Sequence, residues 1–483
     1  MAEQKEVTYD IDKLQVDQLK RNAIGLGGVL FAALAGAAPI SAMLFNTPYA
    51  AQTAGPTVPL VFLVATVGLA LMAVGMVDFA RRFSAAGGFY SYISHGLGRT
   101  WGFAAGWIML TGYSMFEAAL VAMFGEFTHN QIIAWGGPDV PWWALALVAI
   151  FAGWIISLRG IHFSTNMLGF FMIIEVVALG ALALVIFFKG GLSGQSLAPF
   201  NPANASGGFG GFGFALTMGV WSWIGFEASA NYAEESRDPK RNVPRALYIS
   251  VLALGAYYVF VTYTAVIGFG VNNAVDGFGG HPTDAYFILA DMYAPFTKLP
   301  MEITILTGSF ACALAFHNAM VRYFYAMGRE GILPKMFGKV NQQQSPGMAI
   351  HAQSALSLIM ILGFVLAGTA GINVYYYLAQ IGTYGFMLVF VLCNVAVFRF
   401  FAFEERKDFK VLRHVIAPIL SSAVFVIAIY EFIHTAVPGT PYVWFPYFVL
   451  GLFLIGLAFA FFIRLTNPER FEVMGRMVRA VEE

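Results

Sequence analysis

Apolar stretches of spanning length recur along this chain from Ala23 to Ile463, with only short polar breaks between them. A helix rises 1.5 Å per residue, so roughly 20 apolar residues cross the hydrocarbon core of a bilayer. Of the 483 residues 59% are hydrophobic and only 11% charged, whereas a soluble domain carries about a quarter charged residues. Lipid is therefore the main solvent, and no separate soluble domain fits between the runs. The first run follows a polar head of mixed charge, residues 1–21, with no small-residue cleavage pattern behind it. That predicts a retained helix preceded by a cytoplasmic segment, not a signal peptide.

Charge placement gives an independent count. Cytoplasmic loops retain Lys and Arg, and here all but two of the 27 fall at alternate breaks, within 5–21, 81–99, Arg159, 237–245, 322–339, 399–413 and 464–479. Only Lys189 and Lys298 remain for the other side. The sorting predicts an all-α integral membrane protein of the plasma (inner) membrane, with twelve spans and both termini cytoplasmic. The expected spans are 23–46, 58–80, 100–134, 142–158, 166–188, 208–234, 243–269, 301–327, 349–366, 374–400, 411–435 and 443–465. Segment 83–96 is too polar to span and reads as a short helix or loop on the cytoplasmic surface, with 281–293 as its counterpart outside.

Two spans carry far more glycine and small residues than the rest: GLGGVLFAALAGAAP from Gly25 to Pro39, and GGFGGFGFALTMGVWSWIGFE from Gly207 to Glu227. Backbone that leaves the helix inside a bilayer needs partners in protein or in a water-filled cavity, so an interrupted helix marks a site. These two lie five spans apart, as in a pair of inverted repeats whose first helices are broken. The divisions that follow are a cytoplasmic head 1–22, repeats 23–190 and 207–400, two further helices in 411–465, and a cytoplasmic tail 466–483. The competing reading is that small residues merely let helices pack closely.

Three motifs carry a family resemblance. WSWIGFEASANYAEESRDPKRNVPRA from Trp221 to Ala246 resembles the sixth-helix signature of the amino acid, polyamine and organocation (APC) transporter superfamily. DFARRFSAAGGFYSYISHGLGRTWGFAAGW from Asp78 to Trp107 and HNAMVRYFYAMGREGILPKMFGKV from His317 to Val340 are similar to its second-to-third-helix loop and to its eighth helix. The resemblance covers nearly the whole chain and implies a leucine-transporter-like fold of five plus five helices with two added. Trp221 to Glu227 is most similar to the arginine/agmatine antiporters, which implies that Trp221 stacks on or gates substrate and that Glu227 lies just beyond it. The carbonyls of Trp221 and Ile224 would accept from a substrate ammonium, with Ser222, Gly225 and Phe226 in the same break and Ala35, Gly36, Ala37 and Ala38 facing them from the first helix. The physics is independent of the likeness: unwound helix leaves carbonyls for a cation and N–H groups for a carboxylate.

Two departures matter. The superfamily's Gly-Ser-Gly is replaced by Gly36-Ala37-Ala38-Pro39, so no serine hydroxyl is there for a carboxylate, and an amine without one comes into range. In GIHFSTNMLGFFMIIE, Glu175 stands where proton-coupled permeases of the superfamily place a lysine, so a proton or a cation has a candidate acceptor.

An ionisable group near mid-bilayer costs about 2.5–3.5 kcal/mol and needs a partner or a task. Glu117, Glu175, Glu227 and His317 qualify by position. Glu117 is a candidate for binding an ammonium or proton, or else a hydrogen-bonded interhelix contact. Glu175 is the first candidate for proton coupling, since a carboxyl held out of water keeps its proton more readily. Glu227 is a candidate gate, and His317 a coupling residue or a satisfied core histidine. Phe31, Tyr113, Phe116, Phe316 and Tyr384 are candidate pocket walls, Tyr113 and Phe316 as contacts and Tyr384 as a gate, although aromatics are 16% of the chain and most must pack. Glu234, Glu235, Arg237, Asp238, Lys240 and Arg241 form either a salt-bridged inner gate or a solvated loop.

Cys312 and Cys393 are the only cysteines, both inside apolar runs, and read as small packed hydrophobes. No phosphate loop, His-Glu-x-x-His or Cys-x-x-Cys occurs, so neither catalytic residues nor a metal or cofactor is expected. A channel would need a filter or pore ring, and a sensor an appended signalling domain. The expected function is secondary active transport of an amino acid or organic amine by alternating access. Proton-coupled uptake is the first form, and amine exchange or polyamine or monoamine permeation the variants.

Overall fold

The computed structural model describes residues 9–10, 17–281, 283–436 and 438–478. Most of the polar head and the end of the tail, with Lys5, Lys13 and Arg479 of the charge pattern, lie outside the described residues. The first apolar run is cut into α1 (Leu26–Ala37) and α2 (Pro39–Ala54), and a 3-10 turn leads into α3 (Val58–Ala80). A short α4 (Phe89–Leu97) precedes the long α5 (Arg99–Ala134), α6 (Trp142–Leu158) and α7 (Ile161–Lys189). The second glycine-rich run forms α8 (Gly208–Trp221), a turn and a 3-10 helix (Phe226–Glu235). Then come α9 (Pro239–Phe269), the short α10 (Ala274–Gly279) and α11 (Ala285–Tyr293), and α12 (Lys298–Arg329). The chain ends with α13 (Gly347–Leu366), α14 (Gly371–Arg399), α15 (Ala417–Thr435), α16 (Phe445–Thr466) and α17 (Pro468–Val473).

Among the described residues ten runs are long and apolar enough to cross a membrane, and α6 is a shorter apolar helix. One run, Leu26–Ala80, has 55 residues; at 1.5 Å each it exceeds twice the hydrocarbon thickness of about 30 Å, so it passes more than once. The fold is all-α and membrane-embedded, as expected. Burial separates inner from outer helices. The most apolar windows of α5 and of the α8 run are 83% buried, against 28% for those of α13 and α16. Outward side chains such as Ile359, Leu366, Ile419 and Leu454 are large, apolar and exposed, the surface that lipid covers.

Among the described residues, 9–10 of the head and 477–478 of the tail meet on one face of the bundle. Strand β1 (Tyr9–Asp10) pairs in parallel with β2 (Met477–Val478), which requires an even number of crossings. The tail is fastened there: Arg99 binds Glu472 at 2.8 Å, the Gly475 N–H donates to Glu330 at 3.0 Å, and Arg476 donates to the Ser94 carbonyl at 3.1 Å. Tyr90 also donates to Glu330. Burial pushes the Glu330 carboxyl up to about 7 against the pull of these donors. Lys189 and Lys298, the two exceptions in the charge pattern, bond instead to Tyr293 O and Asp291, around α11.

One expectation is corrected here. Segment 83–96 does contain a short helix, α4, but it is not a surface helix. Tyr90 and Tyr92 are fully buried, because the tail covers α4 and α14 packs so closely that a Cβ on Gly96 would fall 2.6 Å from Ala396.

Candidate functional site

Both glycine-rich runs break. Ala38 takes the left-handed conformation, φ 41°, between α1 and α2, a geometry that disfavours any residue with a Cβ by roughly 1–2 kcal/mol. Pro39 then opens α2 with no N–H to donate, a normal first-turn place for proline. In the other run α8 stops at Trp221, and Gly225 at φ 118° starts the 3-10 segment. That segment is ten residues long, well beyond the usual three or four. Tyr258 joins the two breaks: its hydroxyl lies 3.0 Å from the Ala37 carbonyl and 3.1 Å from the Ser222 carbonyl.

Between the breaks lies a cavity of about 20 Å³, room for about one water, so a substrate enters only when its walls part. Gly36, Ala37, Ala38, Trp221, Ser222, Ile224 and Phe316 of the predicted set line it, as does Phe116. The remaining wall is Ser41, Ala42, Asn46, Leu120, Cys312 and Tyr375, none of which the sequence reading singled out as contacts. Cys312, expected to pack as a small hydrophobe, is buried, and its thiol also donates to the Gly36 carbonyl at 3.1 Å. Ser222 donates to Met218 O and accepts from Asn46 Nδ2, each at 2.9 Å. Asn46 Oδ1 and the Ser41 hydroxyl are buried without partners. Phe116 and Phe316 stack at 4.9 Å. Trp221 lies 5.3 Å from Tyr375, and Tyr376 stacks on Tyr49 at 5.5 Å, so aromatic rings cover the cavity on the side away from the termini.

Toward the termini, a buried lock closes it. Arg322 binds Glu235 at 2.6 Å and lies over the Tyr232 ring, while Arg329 grips Glu234 through two bonds of 2.8 Å. Glu234 also accepts from the Ala86 N–H at 2.9 Å, and Ile24 bonds the Glu235 carbonyl at 3.2 Å. Of the acidic and basic cluster expected here, Glu234 and Glu235 are buried in this lock. The Arg237 N–H joins the Ile24 carbonyl, and Asp238 and Arg241 pair with each other.

The other predicted residues sit one layer back. Glu227 accepts from the Gly225 N–H at 2.9 Å and from Tyr113 at 2.8 Å, so both residues hold the second break rather than line the cavity. Phe226 is fully buried beside them, and Ala35 accepts from the Ala38 N–H within the first break. Glu175 on α7 accepts from the Ile40 N–H at 3.4 Å, at the first turn of α2. Glu117 pairs with His317 at 3.1 Å and accepts from Gln353, a junction of α5, α12 and α13. Tyr384 packs on Phe432 at 5.0 Å, and Phe31 contacts the Gly169 position on α7; neither lines the cavity. Asn46 and Ser41 were legible in principle as polar positions on one apolar helix.

Comparison with known proteins agrees with this geometry. The amino acid permease family model matches residues 28–467. The chain is 25% identical to the low-affinity putrescine importer of Escherichia coli over 73% of its own length and 75% of that protein's. It is 25% identical to a branched-chain amino acid permease of Lactococcus lactis over 76% and 80%, and 23% identical to the gamma-aminobutyric acid permease of E. coli over 67% and 69%. These relatives are transporters, not enzymes, and an enclosed cavity between two interrupted helices of a multi-pass membrane protein is what a carrier needs. The chain belongs to the amino acid permease family of the APC superfamily.

Proposed function

We propose that this protein is a secondary active transporter that carries an organic amine or amino acid through the cavity between the two helix breaks by alternating access, driven by protons. The observation that carries the reading is the meeting of both breaks at one enclosed cavity, closed by aromatic rings on one side and by the Arg322–Glu235 and Arg329–Glu234 pairs on the other. Putrescine, branched-chain amino acids and gamma-aminobutyric acid, the substrates in the relatives' names, all carry an ammonium group. The chain crosses a plasma membrane twelve times, counting Leu26–Ala80 twice and α6 once, with both termini cytoplasmic. Residues 23–190 and 207–400 are the two inverted repeats.

Glu175 is the proton carrier in this reading: a buried acid bonded to the backbone of the first break senses whether that break is occupied. The test is transport into proteoliposomes with and without an imposed pH gradient. Wild type accumulates substrate uphill under the gradient, Glu175→Gln performs counterflow only, and Trp221→Ala does neither. Uphill uptake retained in Glu175→Gln removes the proton role; full transport in Trp221→Ala removes the site.

A further inference from the structure

The polar link between α14 and α15 gathers five basic residues, Arg399, Arg406, Lys407, Lys410 and Arg413. It lies on the face where the tail docks: Arg399 donates to the Gly96 carbonyl of α4, two residues from the Ser94 carbonyl that Arg476 holds. The link folds back against the end of α3. There the Lys410 N–H donates to His414 Nδ1 at 3.0 Å, so the ring is neutral with its proton on Nε2, which donates to Asp78 at 3.1 Å. Phe401 stacks on the His414 ring at 3.9 Å, and the Arg82 guanidinium lies 4.8 Å from the Phe401 ring centre while bonding Asp408.

These contacts wall a hollow of about 180 Å³, many times the space one water needs. Arg81, Arg82, Lys410 and Arg413 line it against only two carboxylates, Asp78 and Asp408, a surplus of two positive charges. Asp408 serves Arg82, but Asp78 is shared between Arg81 at 3.9 Å, Arg413 at 3.5 Å and His414. Pairs this long and half-exposed hold their side chains weakly, and the Lys410 ammonium meets no carboxylate among the described residues. Cations set around a hollow repel one another until an anion enters it. Guanidinium groups with a lysine beside them match the oxygens of a phosphate. The setting is the edge of the bilayer: Phe403, Val411 and Leu412 of the same link are 61%, 57% and 70% exposed, and apolar side chains so placed are covered by lipid. Phospholipid headgroups lie at that depth, where basic pockets between helices capture them.

We infer that this hollow between the end of α3 and the α14–α15 link is a binding site for a phosphate group, with the headgroup of an anionic phospholipid as the form its setting favours. The site is remote from the cavity between the helix breaks, and its test is independent of the transport reading. Binding to the purified full-length protein in neutral detergent is followed by calorimetry, with short-chain phosphatidylglycerol, phosphatidylcholine of the same chains, and inorganic phosphate against chloride at equal ionic strength. Phosphatidylglycerol is expected to bind, and Lys410→Gln combined with Arg413→Gln to weaken it at least tenfold. Lys335→Gln with Lys339→Gln, exposed basic positions just beyond the end of α12 and outside the hollow, should change it little. Asp408→Asn releases Arg82 and should tighten binding severalfold, a gain that poor folding cannot imitate. Binding of phosphatidylglycerol alone identifies the lipid as the source of the phosphate, and binding of inorganic phosphate alone a soluble anion; either supports the site. Failure of both to bind overturns it, as does phosphatidylcholine binding as tightly as phosphatidylglycerol. Equal losses from the two lysine and arginine pairs would also overturn it, because the attraction would then belong to the whole face and not to this hollow.

Discussion

Gly36 and Gly225 meet backbone to backbone where the two interrupted helices cross: a Cβ on Gly225 would lie 2.5 Å from the Gly36 carbonyl carbon, and one on Gly36 would lie 3.0 Å from the Gly225 Cα. Neither contact can relax by turning a side chain, because both partners are main chain. Gly225 also has φ 118°, which excludes most residues with a Cβ. Gly225→Ala should therefore destabilise by about 1–3 kcal/mol from backbone strain alone, with the clash in addition, and Gly36→Ala by less. Thermal unfolding in detergent checks the order; equal effects would mean the crossing yields more easily than its geometry implies.

A second close fit joins α7 to α12. Gly308→Ala would drive a methyl group into the Glu175 carboxylate and push it from the Ile40 N–H. Overpacking of this kind costs about 1–3 kcal/mol, and uphill uptake should fall with it. Combining it with Glu175→Ala should restore part of the stability, since the colliding atoms are gone. Strict additivity in that double-mutant cycle would show that the two residues do not press on each other.

The closed lock predicts a labelling experiment. Cys312 lines the cavity and is buried, and the other cysteine, Cys393, is buried in α14. Removing one partner of a buried ion pair costs about 3–5 kcal/mol, here chiefly in the state that the pair closes. In a Cys393→Ser background, Arg322→Ala should raise the rate at which a polar maleimide reaches Cys312 at least tenfold. An unchanged rate would mean that Arg322 and Glu235 do not control access.

Tail docking should depend on pH. Glu330 lies just past the end of α12, and its folded pKa of about 7 stands above its ordinary 4.5 because burial penalises the charged form. A raised carboxyl pKa contributes stability that is complete below the unfolded value and is lost as pH rises through the folded one. The Gly475 and Met477 amides that bond Glu330 should thus exchange hydrogen faster, after correction for intrinsic rates, as pH goes from about 4.5 to above 7. Glu330→Gln should flatten that dependence; a slope that survives the substitution would assign it to another group.

The spanning runs, the all-α fold, the family and both helix breaks were legible in the residues, because each depends on short stretches of chain. Lipid forces unbroken apolar runs into helices, and the Ala38-Pro39 pair and Gly225 mark their breaks through backbone preferences of one or two residues. The cavity wall was legible only in part. Which face of α2 carries Asn46 to Ser222, 176 positions away, and that Glu117 meets His317 and Gln353, 200 and 236 positions away, follows from how helices are rotated and stacked. Local sequence sets where a helix must stop, but side chains from distant helices become neighbours only through packing, so only the tertiary structure decided that Glu175 sits on the first turn of α2 and that Tyr113 and Glu117 stand behind the cavity.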